Sequence, residues 1–351
     1  MANWQPPSKD LTARSQPNLP DSLKDQPRLA LAYLPTPLQE MRRLTAALGG
    51  PELFIKRDDL TGLATGGNKA RKLEFLIADA LGHGADCVIT AGGPQSNHCR
   101  LTAAAAARVG LKCHLVIGGS PPPQAEGNLF LDRILGAQIH WTARGAREQR
   151  MEELAAELRS AGAKPYIIPI GGSTPIGALG YVAAMFELRE QLSAAELSLN
   201  HVFFATSSGG TQAGLMLGAA LTDFPGRITG VSIDQLPDAT SPFKYREFVA
   251  NLANDAAQHL RSRHKFSPDD VIINYDYLGG GYGVIGNLER EAVSLLARTE
   301  GILVGPVYTA RALGGLIDLI RKGAFHADEK VLFWHTGDET ALHAYVQDFA
   351  W

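Results

Sequence analysis

His201-Val202-Phe203-Phe204-Ala205 runs into Thr206-Ser207-Ser208-Gly209-Gly210-Thr211, and from there into the segment Gln212–Leu221. The first piece is an apolar run of strand length, the second a turn of small residues, the third a helical pattern. This is the repeating unit of α/β proteins with largely parallel sheets. The alternation recurs along almost the whole chain. Ala85–Ala91, Cys113–Ile117, Tyr166–Ile170, Ile228–Ile233, Val271–Ile273 and Val331–Trp334 read as further buried strands, with helical segments such as Leu101–Val109 between them. In such sheets ligand sites lie in the turns at the carboxyl ends of strands. That singles out Gly92–His98, Gly171–Gly180, Ser207–Thr211, Gly279–Gly283 and the turn after His335.

At 351 residues, 45% hydrophobic and 20% charged, the chain can bury a large core and is long enough for two lobes. The net charge of -3, from 33 basic and 36 acidic residues, comes without any Lys/Arg run. There is thus no electrostatic footprint for nucleic acid, and the expected partner is a small molecule. The first thirty residues are polar and proline-rich, and no stretch approaches the roughly 20 apolar residues that span a bilayer. The expectation is a cytoplasmic chain with no membrane partner. Cys87, Cys99 and Cys113 lack CxxC spacing, so neither a disulfide framework nor a metal site is expected. Cys99, beside the Ser96 turn, reads as packing. No repeat or low-complexity segment marks a domain boundary, apart from the proline-rich tip Pro121–Pro123.

Two further stretches carry chemistry. Gly66-Gly67-Asn68-Lys69-Ala70-Arg71-Lys72 sets a lysine in a glycine-rich turn ahead of a helix, and Gln95-Ser96-Asn97-His98 clusters small polar side chains in a turn after a strand. Thr206–Thr211 opens a helix, so backbone amides and hydroxyls converge where the helix dipole favours an anion. Without a GK[ST] ending the turn suits a phosphate monoester better than a nucleotide triphosphate. Gly281-Tyr282-Gly283-Val284-Ile285-Gly286 matches GxGxxG, but the expected next strand, Ile302–Val304, runs into Gly305-Pro306 with no acidic residue for a ribose. A lysine in general is a solvated surface charge. Lys69 differs, because a desolvated lysine near other cations has a depressed pKa and forms imines with aldehydes. Pyridoxal 5′-phosphate supplies both aldehyde and phosphate.

The runs Lys56–Gly62, Gly66–Glu74, Gln95–Asn97, Ser208–Gly214, Arg298–Ile302, Pro306–Tyr308 and His335–Gly337 occur in an order that resembles the 1-aminocyclopropane-1-carboxylate deaminase and D-cysteine desulfhydrase family over residues 28 to 346. The resemblance implies the fold type II, tryptophan-synthase-β-like architecture: a large lobe of residues 1–72 and 185–351, a small α/β lobe of residues 73–184, and pyridoxal 5′-phosphate between them. It also implies a homodimer. Carried over motif by motif, it makes Lys69 the Schiff-base lysine and the base at the substrate Cα. Asn97 would bond the cofactor's phenolic oxygen, and Ser96, with Asn97 and His98 beside it, would receive the substrate carboxylate. Ser208, Gly209, Gly210 and Thr211 would cradle the phosphate, helped by Lys72. Tyr282 and Tyr308 would line the substrate face and assist proton movement. His98 and His335 flank the site without an assigned proton-transfer role.

Thr309 stands where the cyclopropane deaminases of this family resemble one another in having Glu. A hydroxyl there leaves the pyridine nitrogen largely unprotonated and the ring a weaker electron sink, which suits β-elimination of a good leaving group. The expectation is therefore a carbon-sulfur lyase releasing pyruvate from D-cysteine. Asp338, in place of a second glycine after His335-Thr336-Gly337, and Gly93-Pro94 depart from the family pattern. They leave the cyclopropane deaminase and an L-cysteate sulfo-lyase open as alternatives. A dinucleotide-dependent oxidoreductase, or a cofactor-binding protein without turnover, are the readings from other classes.

Overall fold

The computed structural model describes residues 18–349. Most of the proline-rich start thus lies outside the described residues. Among the described residues ten strands alternate with helices: β1 (Leu38–Glu40), β2 (Glu52–Arg57), β3 (Cys87–Gly92), β4 (Lys112–Gly118), β5 (Gln138–Thr142), β6 (Pro165–Ile167), β7 (His201–Thr206), β8 (Arg227–Ser232), β9 (Ile272–Asn274) and β10 (Lys330–His335). The helices are α1 (Asp21–Lys24), α2 (Arg42–Leu48), α3 (Lys69–Gly82), α4 (Asn97–Val109), α5 (Gly127–Ile134), α6 (Arg147–Ser160), α7 (Pro175–Ala194), α8 (Gly210–Leu221), α9 (Tyr245–His259), α10 (Asn287–Glu300) and α11 (Thr309–Arg321).

The strands form two sheets. One has the order β1-β2-β10-β7-β8-β9 and the other β5-β4-β3-β6. Every pairing is parallel except β1 with β2. Side chains of the larger sheet alternate between two cores, as the period of a strand requires. Phe54, Val202, Phe204, Leu332 and Trp334 pack under α7, α8 and α9. Leu53, Ile55, Phe203, Val331 and Phe333 pack under α2, α10 and α11. In the smaller sheet Val88, Leu115 and Ile117 meet α3 and α4, while Ile89, Ala91 and Val116 meet α6. The expected lobe limits, 72/73 and 184/185, pass through α3 and α7, which lie against each other.

Two strand expectations are corrected. Ile302–Val304 has no ladder: Ile302 and Val304 are buried, but Leu303 is exposed and its carbonyl accepts from His335 Nε2 (2.8 Å). A side chain thus satisfies the backbone that a neighbouring strand would otherwise pair. The run Tyr166–Ile170 ends its ladder at Ile167, ahead of Pro169, which has no N–H to donate.

Behind the sheets' junction lies a buried ionic network. Arg71 donates to Asp58 through Nε (2.9 Å) and Nη2 (2.8 Å), and to Glu187 through Nη1 (2.9 Å). Lys56 pairs with Glu187 as well. Tyr181 Oη (2.7 Å) and Trp334 Nε1 (2.8 Å) donate to Asp58 Oδ2. β2, the turn after it, α3, α7 and β10 are thereby tied to one another. Two cations and two carboxylates balance, which is the condition under which buried charges are tolerated.

The cations Arg71 and Lys56, outweighing the cost of burial, hold the Glu187 carboxyl down at about 2, from an ordinary 4.5. A depressed folded pKa contributes stability above the unfolded pKa that is lost as pH falls through the folded value. Unfolding stability should therefore drop between about pH 4.5 and about pH 2. Glu187→Gln should flatten that slope and cost about 3 kcal/mol at neutral pH, both read from urea unfolding across pH.

Candidate active site

Turns at the carboxyl ends of β3, β7 and β10 face a common cavity of about 830 Å³, lined among others by Lys69, Ser96, Asn97, Ser208, Tyr282 and Tyr308. Each turn has a local cause. After β3, Ser96 is the N-cap of α4, its Oγ accepting from Cys99 N (3.2 Å). After β7, Gly209 turns at φ +83° so that α8 begins with its free amides toward the cavity. After β10, Gly337 and Asp338 both have positive φ.

Lys69 opens α3, half-buried, with Nζ 3.0 Å from Asn68 Oδ1. Burial lowers its pKa to about 8, against the pull of Asp338. Lys72 lies one turn on, fully buried behind the cavity wall, and donates only to Gly171 O (3.0 Å). Burial and the charge of Lys69 hold it well below the ordinary lysine value. Neither lysine has an ion-pair partner among the described residues. A Cβ at Gly210 would fall 2.8 Å from Lys72 Nζ and 2.8 Å from Ser173 Oγ. Ser173, from the turn after β6, also bonds Ser208 Oγ (2.9 Å) and accepts from Gly210 N (3.1 Å). The buried Lys72 without an ion-pair partner among the described residues, a cradle only glycine permits, and a helix N-terminus together fit a phosphate ester.

Asn97 Oδ1 is occupied by Arg100 Nη2 (2.9 Å) and Asn128 Nδ2 (3.3 Å), so its NH₂ remains free to donate. The Ser96 hydroxyl, which accepts from Cys99 N, also has the Cys99 thiol as a hydrogen-bond partner. Tyr282 and Tyr308 share a hydrogen bond of 2.6 Å with rings edge to face at 5.6 Å. Burial raises both phenols, so each stays protonated at neutral pH.

The histidines are quieter. Thr90 Oγ1 donates to Ile168 O (2.7 Å), so His98 Nε2 must donate to Thr90 (2.8 Å) and its ring is neutral, as burial and the two lysines require. His98 lines the cavity, whereas His335 is tied on both nitrogens, to Leu303 O and Gly337 N. Cys99 is buried with its thiol pushed up, consistent with packing.

Thr309 lies beneath the wall, its hydroxyl directed at Gly305 O (3.0 Å) and Gly337 O (3.1 Å). Thr336 and Ser173, which stand in turns singled out from the sequence but without an expected role, also line the cavity. Asp338 has a role that its departure from glycine did not disclose: Oδ2 accepts the amides of Val307 (3.1 Å) and Tyr308 (3.0 Å), fixing the turn that presents Tyr308.

The chain matches the family described as pyridoxal-phosphate dependent enzyme over residues 29–337. It is 39% identical, over 93% of its length and 99% of the relative's, to a 1-aminocyclopropane-1-carboxylate deaminase of Burkholderia vietnamiensis. A Methylobacterium sp. protein of the same name is 38% identical over 92% and 97%. A crystal structure described as an ACC deaminase homologue superposes with a TM-score of 0.85 at 37% identity, covering 93% of this chain and 97% of that one. A pyridoxal 5′-phosphate-dependent aspartate racemase, at 17% identity and TM-score 0.61, shares the fold.

Borohydride reduction of the cofactor-loaded protein and peptide mapping should tag Lys69 and leave Lys72 unmodified. Loading of the cofactor-free protein should quicken as pH rises through about 8, where Lys69 loses its proton.

Proposed function

Because the chain belongs to the pyridoxal-phosphate dependent enzymes, within a group whose relatives are cyclopropane deaminases, we propose that it deaminates a small α-amino acid to a 2-oxo acid and ammonium. The observation that carries this is the convergence of Lys69, the Ser96–Asn97 turn and the tyrosine pair on one cavity. The names of the relatives support trying 1-aminocyclopropane-1-carboxylate first, ahead of the D-cysteine that the residue at position 309 favours. That substrate with water gives 2-oxobutyrate and ammonium. D-cysteine with water gives pyruvate, hydrogen sulfide and ammonium. The absence of a carboxylate at position 309 keeps it as the second reading.

Pyridoxal phosphate, when bound, supplies an aldehyde that takes an amine and a ring that accepts electron density from the substrate carbon. Lys69 would provide the protein's amine to that aldehyde, and its amine would hold the proton that moves at the substrate's carbons. Lys72 and Ser208 to Thr211 hold the phosphate. The Asn97 NH₂ donates to the cofactor's ring oxygen. The Ser96 hydroxyl and the first amides of α4 receive the substrate carboxylate, fixing the orientation in which the reacting bond stands. Tyr282 and Tyr308, kept protonated, act as donors on the opposite face and exclude water.

Purified protein loaded with cofactor should release 2-oxobutyrate from 1-aminocyclopropane-1-carboxylate. Pyruvate and sulfide from D-cysteine, with the cyclopropane inert, would reverse the order of the two readings. An absence of any 2-oxo acid from either would sink both. Ser96→Ala should lower kcat/KM by at least about tenfold, roughly 1.4 kcal/mol, with the spectrum of the loaded protein unchanged.

A further inference from the structure

Arg311 is buried on the first turn of α11, the helix that begins directly after Tyr308. Among the described residues its guanidinium makes no hydrogen bond to a side chain lining the cavity, although its charge is felt by Asp234 there. It donates instead to the carbonyls of Leu278 (2.8 Å), Gly281 (2.9 Å) and Ile233 (3.0 Å) through Nη1, to that of Val284 (2.8 Å) through Nη2, and to Glu289 Oε1 (2.6 Å) through Nε. Glu289 in turn accepts Gly286 N through Oε2 (2.8 Å). One buried ion pair therefore grips the loop 278–286 at four points along its backbone.

Beyond these bonds the loop is held by the buried Ile285 side chain, a long bond from Arg290 Nη1 to Ile285 O (3.4 Å) and the Tyr282 hydroxyl. Gly279, Gly281 and Gly283 all have positive φ, a Cβ at Gly281 would meet nothing within 4 Å, and Val284 is exposed. Its own turns are closed by Gly281 N to Leu278 O (3.0 Å) and Val284 N to Gly281 O (3.2 Å). A loop with five glycines, Gly279, Gly280, Gly281, Gly283 and Gly286, has much conformational freedom to lose on ordering, and side-chain packing at Gly281 does not restrict it. Yet this is the loop that carries Tyr282 to its 2.6 Å contact with Tyr308.

We propose that Arg311 is a positioning residue for the tyrosine pair: by binding the loop's carbonyls from the helix that follows Tyr308, it makes the place of Tyr282 depend on that of Tyr308. A planar fork with five N–H donors can serve several carbonyls and a carboxylate at once, which no other side chain does. The functional half of this inference rests on the reading of Tyr282 as a donor to the substrate face.

Two measurements separate the halves. In Arg311→Gln, amide hydrogen exchange in residues 279–286 should rise at least about tenfold, with α8 and β7 unchanged. This readout does not depend on turnover. On the amino acid that the enzyme turns over, kcat should fall about tenfold with KM within about twofold. The same substitution in a Tyr282→Phe background should cost nothing further, because the group being placed is gone.

Should Arg311→Gln fail to fold, Gly281→Ala serves instead. At φ +100° alanine is strained, so it would pull the Gly281 carbonyl from Arg311 without touching the core, and should reproduce both effects. Unchanged exchange in whichever of the two variants folds would overturn the positioning role. An equal loss of activity with and without the Tyr282 hydroxyl would do the same, reducing Arg311 to a stabiliser. If exchange rises but Tyr282→Phe is fully active, the role of Tyr282 fails and the link between Arg311 and the reaction falls with it.

Discussion

Arg71 lies between Asp58 and Glu187 with almost no exposure, and the arrangement of the active site follows from how that charge is satisfied. Side chains three apart on a helix share a face, and one two positions along points away. On α3 this sends Arg71 into the carboxylates behind the sheets and turns Lys69 and Lys72 together toward the cavity side. The carboxylates of that network are used up by Arg71 and Lys56. Lys69 and Lys72 are left without an ion-pair partner among the described residues, and an anion beside Lys72 would offset the cost of charging it. Breaking the network would therefore disturb more than stability, since it fixes the rotation of the helix that delivers the reactive amine.

The parts of the fold that could be read in advance are those whose causes are local. β3, β4, β7, β8 and β10 are apolar runs closed by glycine or small polar turns, and Ser208 to Thr211 and Ser96-Asn97 stand where such turns must stand in a parallel sheet. β2 was less legible because Lys56 interrupts its apolar run, and its burial depends on Glu187, 131 positions away. Ile302–Val304 shows the opposite failure. Its pattern is that of a strand, but its backbone is satisfied by His335, a partner no periodicity reports. Asp338 was visible as a departure from a glycine. Its use was not, because the amides it accepts belong to a turn thirty positions earlier in the chain.

The same limit bears on Thr309, whose partners lie outside its own motif. Position in a motif assigned it to the cofactor ring, and the substrate argument was built on its hydroxyl. That hydroxyl faces Gly305 O and Gly337 O, so it is engaged in closing the start of α11. What remains of the argument is the lack of a carboxylate at that position, which bears on the ring nitrogen only as an absence. Similarity over more than nine-tenths of the chain to cyclopropane deaminases is the broader observation, and it sets the order in which substrates are tried.

Electrostatics then narrows which group can titrate near neutral pH. α4 and α8 present their N-terminal ends, and Lys69 itself opens α3, so partial positive charge adds to the two lysines around the cavity. In that field His98 is held neutral, and both tyrosines keep their protons through burial. Lys69 is the group that burial brings to about 8, close enough to neutrality to exist in both forms. A phosphate beside Lys72 would favour its ammonium form, against the burial and the Lys69 charge that hold its pKa down. Anion binding at the α8 end and the charge of the reactive amine thus meet at Lys72, one turn of α3 from Lys69, so each is felt at the other's end of the cofactor site through that one side chain.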